Sequence, residues 1–363
     1  ANFFGIGGNS LAAVQVAARI TQQWGIDFPA RQIFEQPRLQ AQADAIRLAL
    51  KNGARTELAA VPVLSPERRA APLPLSPAQQ RQWFLWKLDP NSSAYHIQAA
   101  LRITGVVHQA ALGEALNGLV ARHESLRTVF ATRPDGEAEQ LVLAEGSIEL
   151  QLADLRGAPQ AERDTLAAET LLSLHARPFD LSSGPLARAA LVQLDDQTHI
   201  LALALHHIIS DGASMQVLLD ELAALYGASL AGTQTDVLPP VPLQYADYTA
   251  WQLDQPEGGN ERQLAYWRRQ LEVPAGEAHP VLALPTDRPR PAEARYRAAQ
   301  HGFELPGLLV AGLRGQAEAH GATLFMLLLA GLQAVLHRYS GQQDIRIGVP
   351  VANRARADLR AGA

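Results

Sequence analysis

Residues 201–212 read LALALHHIISDG, and they place two imidazoles, a carboxylate and a glycine within seven positions. A neutral histidine accepts or donates a proton near pH 7. A carboxylate close by either orients such a histidine or pairs with an arginine. Residues 201–205 are apolar at every position and, with 198–200 ahead of them, predict a strand buried on both faces. Successive strand side chains point to opposite faces. If the strand runs through His206 and His207, only one ring faces a given cleft. That argues against a two-histidine metal site, which needs convergent ligands. It suits one working histidine and one packed in the core. Asp211 falls four residues past His207, beyond the strand end, and Gly212 suits a tight turn. Residues 213–226 carry helical apolar spacing at Met215, Leu218, Leu219, Leu222 and Leu225. Residue types alone favour the plainer reading of two core histidines and a capping aspartate.

A second candidate lies near the start. Gly7 and Gly8 make a turn, Asn9 or Ser10 can cap the helix that follows, and Leu11, Val14 and Ala18, with Ala17 and Thr21 beside them, give that helix a mostly small, apolar face. A serine there is ordinarily a cap. Beside two glycines, at the positive end of a helix dipole, it is also a place where an attached phosphate is favoured.

These positions need a scaffold, and the chain has material for one. It has 363 residues, 47% hydrophobic and 18% charged, enough for two or three domains and a sizeable core. A net charge of -5 gives no reason to expect nucleic acid or an anionic membrane as partner. The absence of cysteine excludes disulfides, thiolate nucleophiles and cysteine zinc sites, and fits a reducing compartment. The most apolar run, 322–336, is broken by Gln333 and too short to span a bilayer, so a buried core helix over 321–339 is expected. With no signal peptide at Ala1, a cytoplasmic location is expected.

Residues 1–50 are expected to be a small helical unit, with a short segment at 29–34 and a helix over 38–50. Prolines at 62, 66, 72 and 74 predict an extended, semi-stiff spacer over 51–75. From 76 to 250 helices are expected at 78–88, 108–125 and 164–174, and strands at 96–103, 128–131, 139–143, 186–194 and 198–207. That order predicts a layered α/β lobe. Residues 251–363 are expected to begin a second lobe, with residues 266–271 helical and a strand over 344–349.

Two resemblances organise these pieces. Asn2-Phe3-Phe4, Gly7-Gly8-Asn9-Ser10-Leu11 and Phe34-Glu35-Gln36-Pro37 resemble the peptidyl carrier domain of multimodular synthetases. The resemblance implies 4′-phosphopantetheine carried on Ser10. It also implies that the carrier is incomplete, since such domains have another helix ahead of the Phe-Phe segment.

His206-His207-Ile208-Ile209-Ser210-Asp211-Gly212 is similar to the HHxxxDG signature of nonribosomal peptide synthetase condensation domains. Residues 76–85 (SPAQQRQWFL) resemble the opening motif of that family, and 122–130 (RHESLRTVF) the second. Tyr245-Ala246-Asp247-Tyr248 with Trp251 resembles the fourth, and 348–354 (GVPVANR) the fifth; the loop 284–291 is also typical. One departure is Ala213, where the family usually has tryptophan. The implied fold is chloramphenicol-acetyltransferase-like, the first lobe whole and the second truncated. The implied reaction joins a carrier-bound donor thioester to an acceptor aminoacyl thioester as an amide. In it His207 takes a proton from the amine or orients it, both roles staying open. The Gly212 N–H lies near the developing oxyanion, His206 is buried, and Asp211 is structural, with Arg127 as its expected partner. His123 is expected to be a packed residue near a helix end.

The implied partners are an upstream adenylation domain, a downstream acceptor carrier domain and a phosphopantetheinyl transferase. Alternatives in the same signature are an epimerization or dual epimerization/condensation domain, a free-standing acyltransferase, and a non-catalytic docking module. The opening motif, the carrier segment and the intact histidines argue against these. A histidine-rich motif expected of dual-function members is absent from 59–75.

Overall fold

A computed structural model describes residues 2–8, 10–52, 61–233, 237–254, 257–274, 276–289 and 301–349. The described residues divide into two compact units, 61–254 on the one hand and 2–52 with 257–349 on the other.

In the second of these units, the carrier-like segment holds α1 (Ser10–Trp24), α2 (Ala30–Glu35) and α3 (Leu39–Lys51). Ala13, Ala17 and Ile20 of α1 are buried with Phe3, Ile26, Phe28 and Ile33. Of the expected face Ala17 is buried, while Val14 and Ala18 are half-buried and Ala13 and Ile20 complete the buried stripe. The aromatics and isoleucines of the flanking segments set which face is covered. The two outer motifs meet: the Phe3 N–H donates to the Pro37 carbonyl at 2.7 Å, and the Phe4 and Phe34 rings lie 5.4 Å apart.

Residues 61–254 form a lobe. Its elements are α4 (Pro66–Ala70), β1 (Leu73–Pro74), α5 (Pro77–Leu88), β2 (His96–Thr104), α6 (Gln109–Arg122), a 3₁₀ turn (Glu124–Arg127), β3 (Thr128–Thr132), β4 (Ala138–Val142), β5 (Leu150–Asp154), α7 (Gln160–Ala176), β6 (Ala187–Gln193), β7 (Thr198–His206), α8 (Gly212–Leu230) and α9 (Tyr245–Leu253). The main sheet runs β2-β7-β6-β5, antiparallel except for the parallel β5–β6 pair. A smaller antiparallel sheet runs β1-β4-β3. Strand β7 is central, and residues 201–206 are all buried, as an unbroken apolar run requires. Against this sheet pack α6, through Leu112, Leu116 and Leu119, and α8, through Met215, Leu218, Leu222 and Leu225. A Cβ at Gly118 would stand 3.3 Å from Leu225 Cδ1, so the glycine lets α6 and α8 approach closely.

Three expectations are corrected. The spacer is not extended throughout: from Val61 onward it is part of the lobe, with α4 and β1 formed and Val61, Leu73 and Leu75 buried. The apolar residues and Arg69 among the prolines supply the contacts that hold it. In the other unit, beyond α10 (Glu257–Gln270) and α11 (Gly307–Ala319), the run expected to be a buried helix is α12 (Leu324–Ser340), which has no buried residue. Residues 344–349 form no strand, since no described neighbour offers them a ladder. No single described helix is long and apolar enough to cross a membrane.

Candidate active site

The apolar run of β7 ends in His206, and the chain then turns through 207–209 into α8. His206 is 2% exposed and lies directly across the ladder from His96 of β2. Its ring meets Phe179 edge-on, 6.2 Å away, and His96 at 6.0 Å. The Ile208 N–H donates to His206 Nδ1 at 3.1 Å, which fixes that nitrogen as an acceptor. Burial, and next to it the neighbouring His96 and His207, push the His206 imidazolium down to about 3. The ring is therefore neutral near pH 7.

His207 is the opposite case. Its ring is exposed and its main chain is held: the N–H donates to the Tyr95 carbonyl at 2.8 Å. Nδ1 stands 2.8 Å from the Ser210 carbonyl. A carbonyl can only accept, so Nδ1 carries the proton. In neutral His207 the lone pair is then on Nε2, away from the anchored side. Of the two rings, His206 is packed and His207 is exposed. What separates the rings is the turn after β7 as well as the strand pleat, because β7 stops at His206.

Asp211 caps α8. Its carboxylate accepts from the Ser214 N–H at 2.7 Å and the Ser214 hydroxyl at 2.8 Å, and Ser214 Oγ accepts from the Asp211 N–H at 3.0 Å. This reciprocal box fixes where α8 begins, and with it the Ser210 carbonyl that holds His207. The expected pairing with Arg127 is not what the structure forms: Arg127 donates to the Leu143 carbonyl, and its Nη2 lies 3.6 Å from Glu124. The acid of the 3₁₀ turn is three residues away in sequence and claims it first.

Gly212 is the first residue of α8 and exposed. It does not adopt a left-handed conformation, and a Cβ there would meet nothing within 4 Å. Backbone freedom therefore does not require the glycine, and its lack of a side chain leaves space at the start of α8. His123 is buried, with Nε2 2.6 Å from Glu221; burial lowers its pKa and Glu221 opposes that.

Sequence reasoning missed the Tyr95 and Ser210 carbonyls and the ring neighbours His96 and Phe179. A main-chain oxygen leaves no signature in residue type. His96 was legible only once the β2–β7 register was known.

Ser10 opens α1, a 15-residue helix with no acidic residue in its first turn. Gly7 has φ 100°, and a Cβ at Gly8 would fall 2.5 Å from Phe3, so both glycines are required for the chain to reach that helix. A positively polarised helix start behind a glycine turn fits a phosphodiester on the serine.

Comparison with known proteins decides the family. The profile of the family described as "Condensation domain" matches residues 70–361. The chain belongs to the condensation domain family. Residues 1–46 match the family described as "Phosphopantetheine attachment site", which carries 4′-phosphopantetheine covalently. The chain is 41% identical to malpibaldin synthetase of Mortierella alpina, over 97% of this chain and 6% of that protein. It is 44% identical to phosphinothricin tripeptide synthetase PhsC of Streptomyces viridochromogenes, over 79% of this chain and 26% of that one. It thus spans a small part of the synthetases it matches.

Among solved structures, the first condensation domain of the calcium-dependent antibiotic synthetase is similar, with a TM-score of 0.62, 27% identity, and coverage of 76% of this chain and 62% of that one. The X-domain from teicoplanin biosynthesis gives 0.69 and 30%, over 84% and 65%. The opening, second and fourth motifs of this condensation domain fall on α5, on the 3₁₀ turn with β3, and on α9.

Proposed function

We propose that this chain is the donor carrier and condensation segment of a nonribosomal peptide synthetase, and that His207 is its catalytic residue. The observation that carries the reading is the tautomer of His207, an exposed residue, with Nδ1–H spent on the Ser210 carbonyl and Nε2 left to accept. Amide formation joins an amine nitrogen to an acyl carbon and expels a thiol, so the amine must lose a proton. His207 Nε2 receives that proton, or holds the amine by it with its lone pair directed at the carbonyl. The Gly212 N–H, at the open start of α8, faces the oxygen on which charge develops. Asp211 acts through the turn and is a positioning residue. When bound at Ser10, 4′-phosphopantetheine supplies the thiol that presents the acyl group as an activated thioester.

An adenylation domain that loads Ser10, an acceptor carrier that brings the amine and a transferase that modifies Ser10 are the partners this reading requires. The cytoplasm is the compartment that provides them. Simple condensation is the reaction, rather than epimerization.

The test is intact-mass analysis with coenzyme A and a broad-specificity phosphopantetheinyl transferase, followed by condensation in the parent synthetase. One phosphopantetheine should add to the parent and none to Ser10→Ala. His207→Ala should lower amide formation by about 10² to 10⁴ while loading is unchanged. Loading that persists in Ser10→Ala, or His207→Ala turning over like the parent, would overturn the assignment.

A further inference from the structure

Three of the sequence motifs that the reaction leaves without a task converge on one place in the lobe. Asp247 of the fourth motif is 1% exposed at its side chain and accepts from the Leu64 N–H at 2.8 Å, Arg69 Nη2 at 2.5 Å and, through its other oxygen, the Gln244 N–H at 2.8 Å. Glu124 of the second motif accepts from Arg69 Nη1, and its own N–H donates to Gln244 Oε1 at 3.0 Å. Ser76, which opens the first motif, shares a 2.9 Å hydrogen bond with the Tyr245 hydroxyl. Arg69 is thus held in a fork between two acids of separate elements, and its side chain is only 18% exposed. Surface ion pairs do little, but a desolvated arginine with two carboxylates is a strong local constraint. The segment it pins is the one that follows the carrier.

The geometry points to a tether clamp: Arg69, gripped by Asp247 and Glu124, fixes the downstream half of the carrier-to-condensation linker and so sets how far the carrier can travel. The inference rests on the proposed function, since it concerns delivery of Ser10 to that lobe. Nine residue steps separate Asn52, at the end of α3, from Val61. They span at most about 32 Å. With the clamp released back to Leu73, where β1 begins, 21 steps would be available and the limit would be about 74 Å. Effective concentration falls roughly as the −3/2 power of tether length, so release lowers it about fourfold.

The experiment compares Arg69→Met with the parent in the synthetase that contains this chain. Hydrogen exchange at the Leu64 amide reports the clamp itself and should be slow in the parent and fast in the variant. Condensation is then measured with donor loaded on Ser10 and, separately, with donor supplied on a free carrier. Release should lower the Ser10-loaded rate about fourfold and leave the free-carrier rate unchanged. A 15-residue Gly/Ser insertion between Asn52 and Val61 leaves every clamp residue in place and should produce the same fourfold split, whatever Arg69→Met does to folding. Equal losses in both arms, a faster Ser10-loaded reaction, or no effect of the insertion would each overturn the clamp. Failure of the functional reading looks different: the parent would then form no amide in either arm, and the delivery claim would fall with it.

Discussion

His206 and His207 are adjacent, yet their main-chain contacts set opposite proton positions. His206 Nδ1 accepts from Ile208, and His207 Nδ1 donates to Ser210. The buried ring also imposes a pH dependence. Its folded pKa, about 3, is far below the value near 6.5 of an unfolded histidine, because burial and then His96 and His207 disfavour the cation. Burial also lowers His96 and His175, and Arg188, stacked on Phe179, adds positive charge beside His96. The unfolded chain therefore binds more protons than the folded one, and stability falls as pH falls through the unfolded value. For His206 alone the loss between pH 7 and pH 5 is about 2 kcal/mol. Urea unfolding across that range should show it. His206→Asn, whose carbonyl can still accept from Ile208, should give a flatter profile, with the remaining slope due to the other buried histidines.

At the scale of elements, the turn between β7 and α8 does the positioning. Both elements were legible in sequence: a five-residue all-apolar run ahead of a turn suits a buried strand, and the Met215, Leu218, Leu222 and Leu225 spacing suits a helix face, here packed. Helix α6 was legible for the same reason. Strand β5 was not, because Leu150–Asp154 alternates weakly and gains its order by pairing in parallel with β6, far away in sequence. Arg127 was misassigned because the nearest acid in space is also one in its own turn. The cap on α8 makes a testable claim. Asp211→Ala removes both Ser214 contacts and should lower stability by about 1 kcal/mol, a fall of roughly 2–4 °C in Tm for a lobe of this size. Condensation should fall as well, because the Ser210 carbonyl loses its fixed place. Asp211→Asn, which still caps, should recover most of both. Recovery of stability without recovery of activity would show that the carboxylate acts on substrate directly.

For the molecule as a whole, apolar periodicity shows that a face needs cover but not where the cover comes from. Phe325, Leu328, Leu332, Val335 and Tyr339 recur at three- and four-residue steps along one face of α12, and each is 44–67% exposed. A buried helix was the natural expectation from that pattern, and this chain leaves the stripe open. Exposed apolar surface of that kind binds hydrophobic dyes and promotes self-association. Phe325→Gln with Leu332→Gln should therefore reduce dye fluorescence and association of the 363-residue chain while changing stability by no more than about 1 kcal/mol, as at other exposed sites. If the stripe were instead packed inside, the same pair would act as core truncations and destabilise by several kcal/mol, about 2–5 for each residue. Chemical denaturation of the double variant separates the two outcomes, since the core case would unfold it under conditions in which the parent stays native.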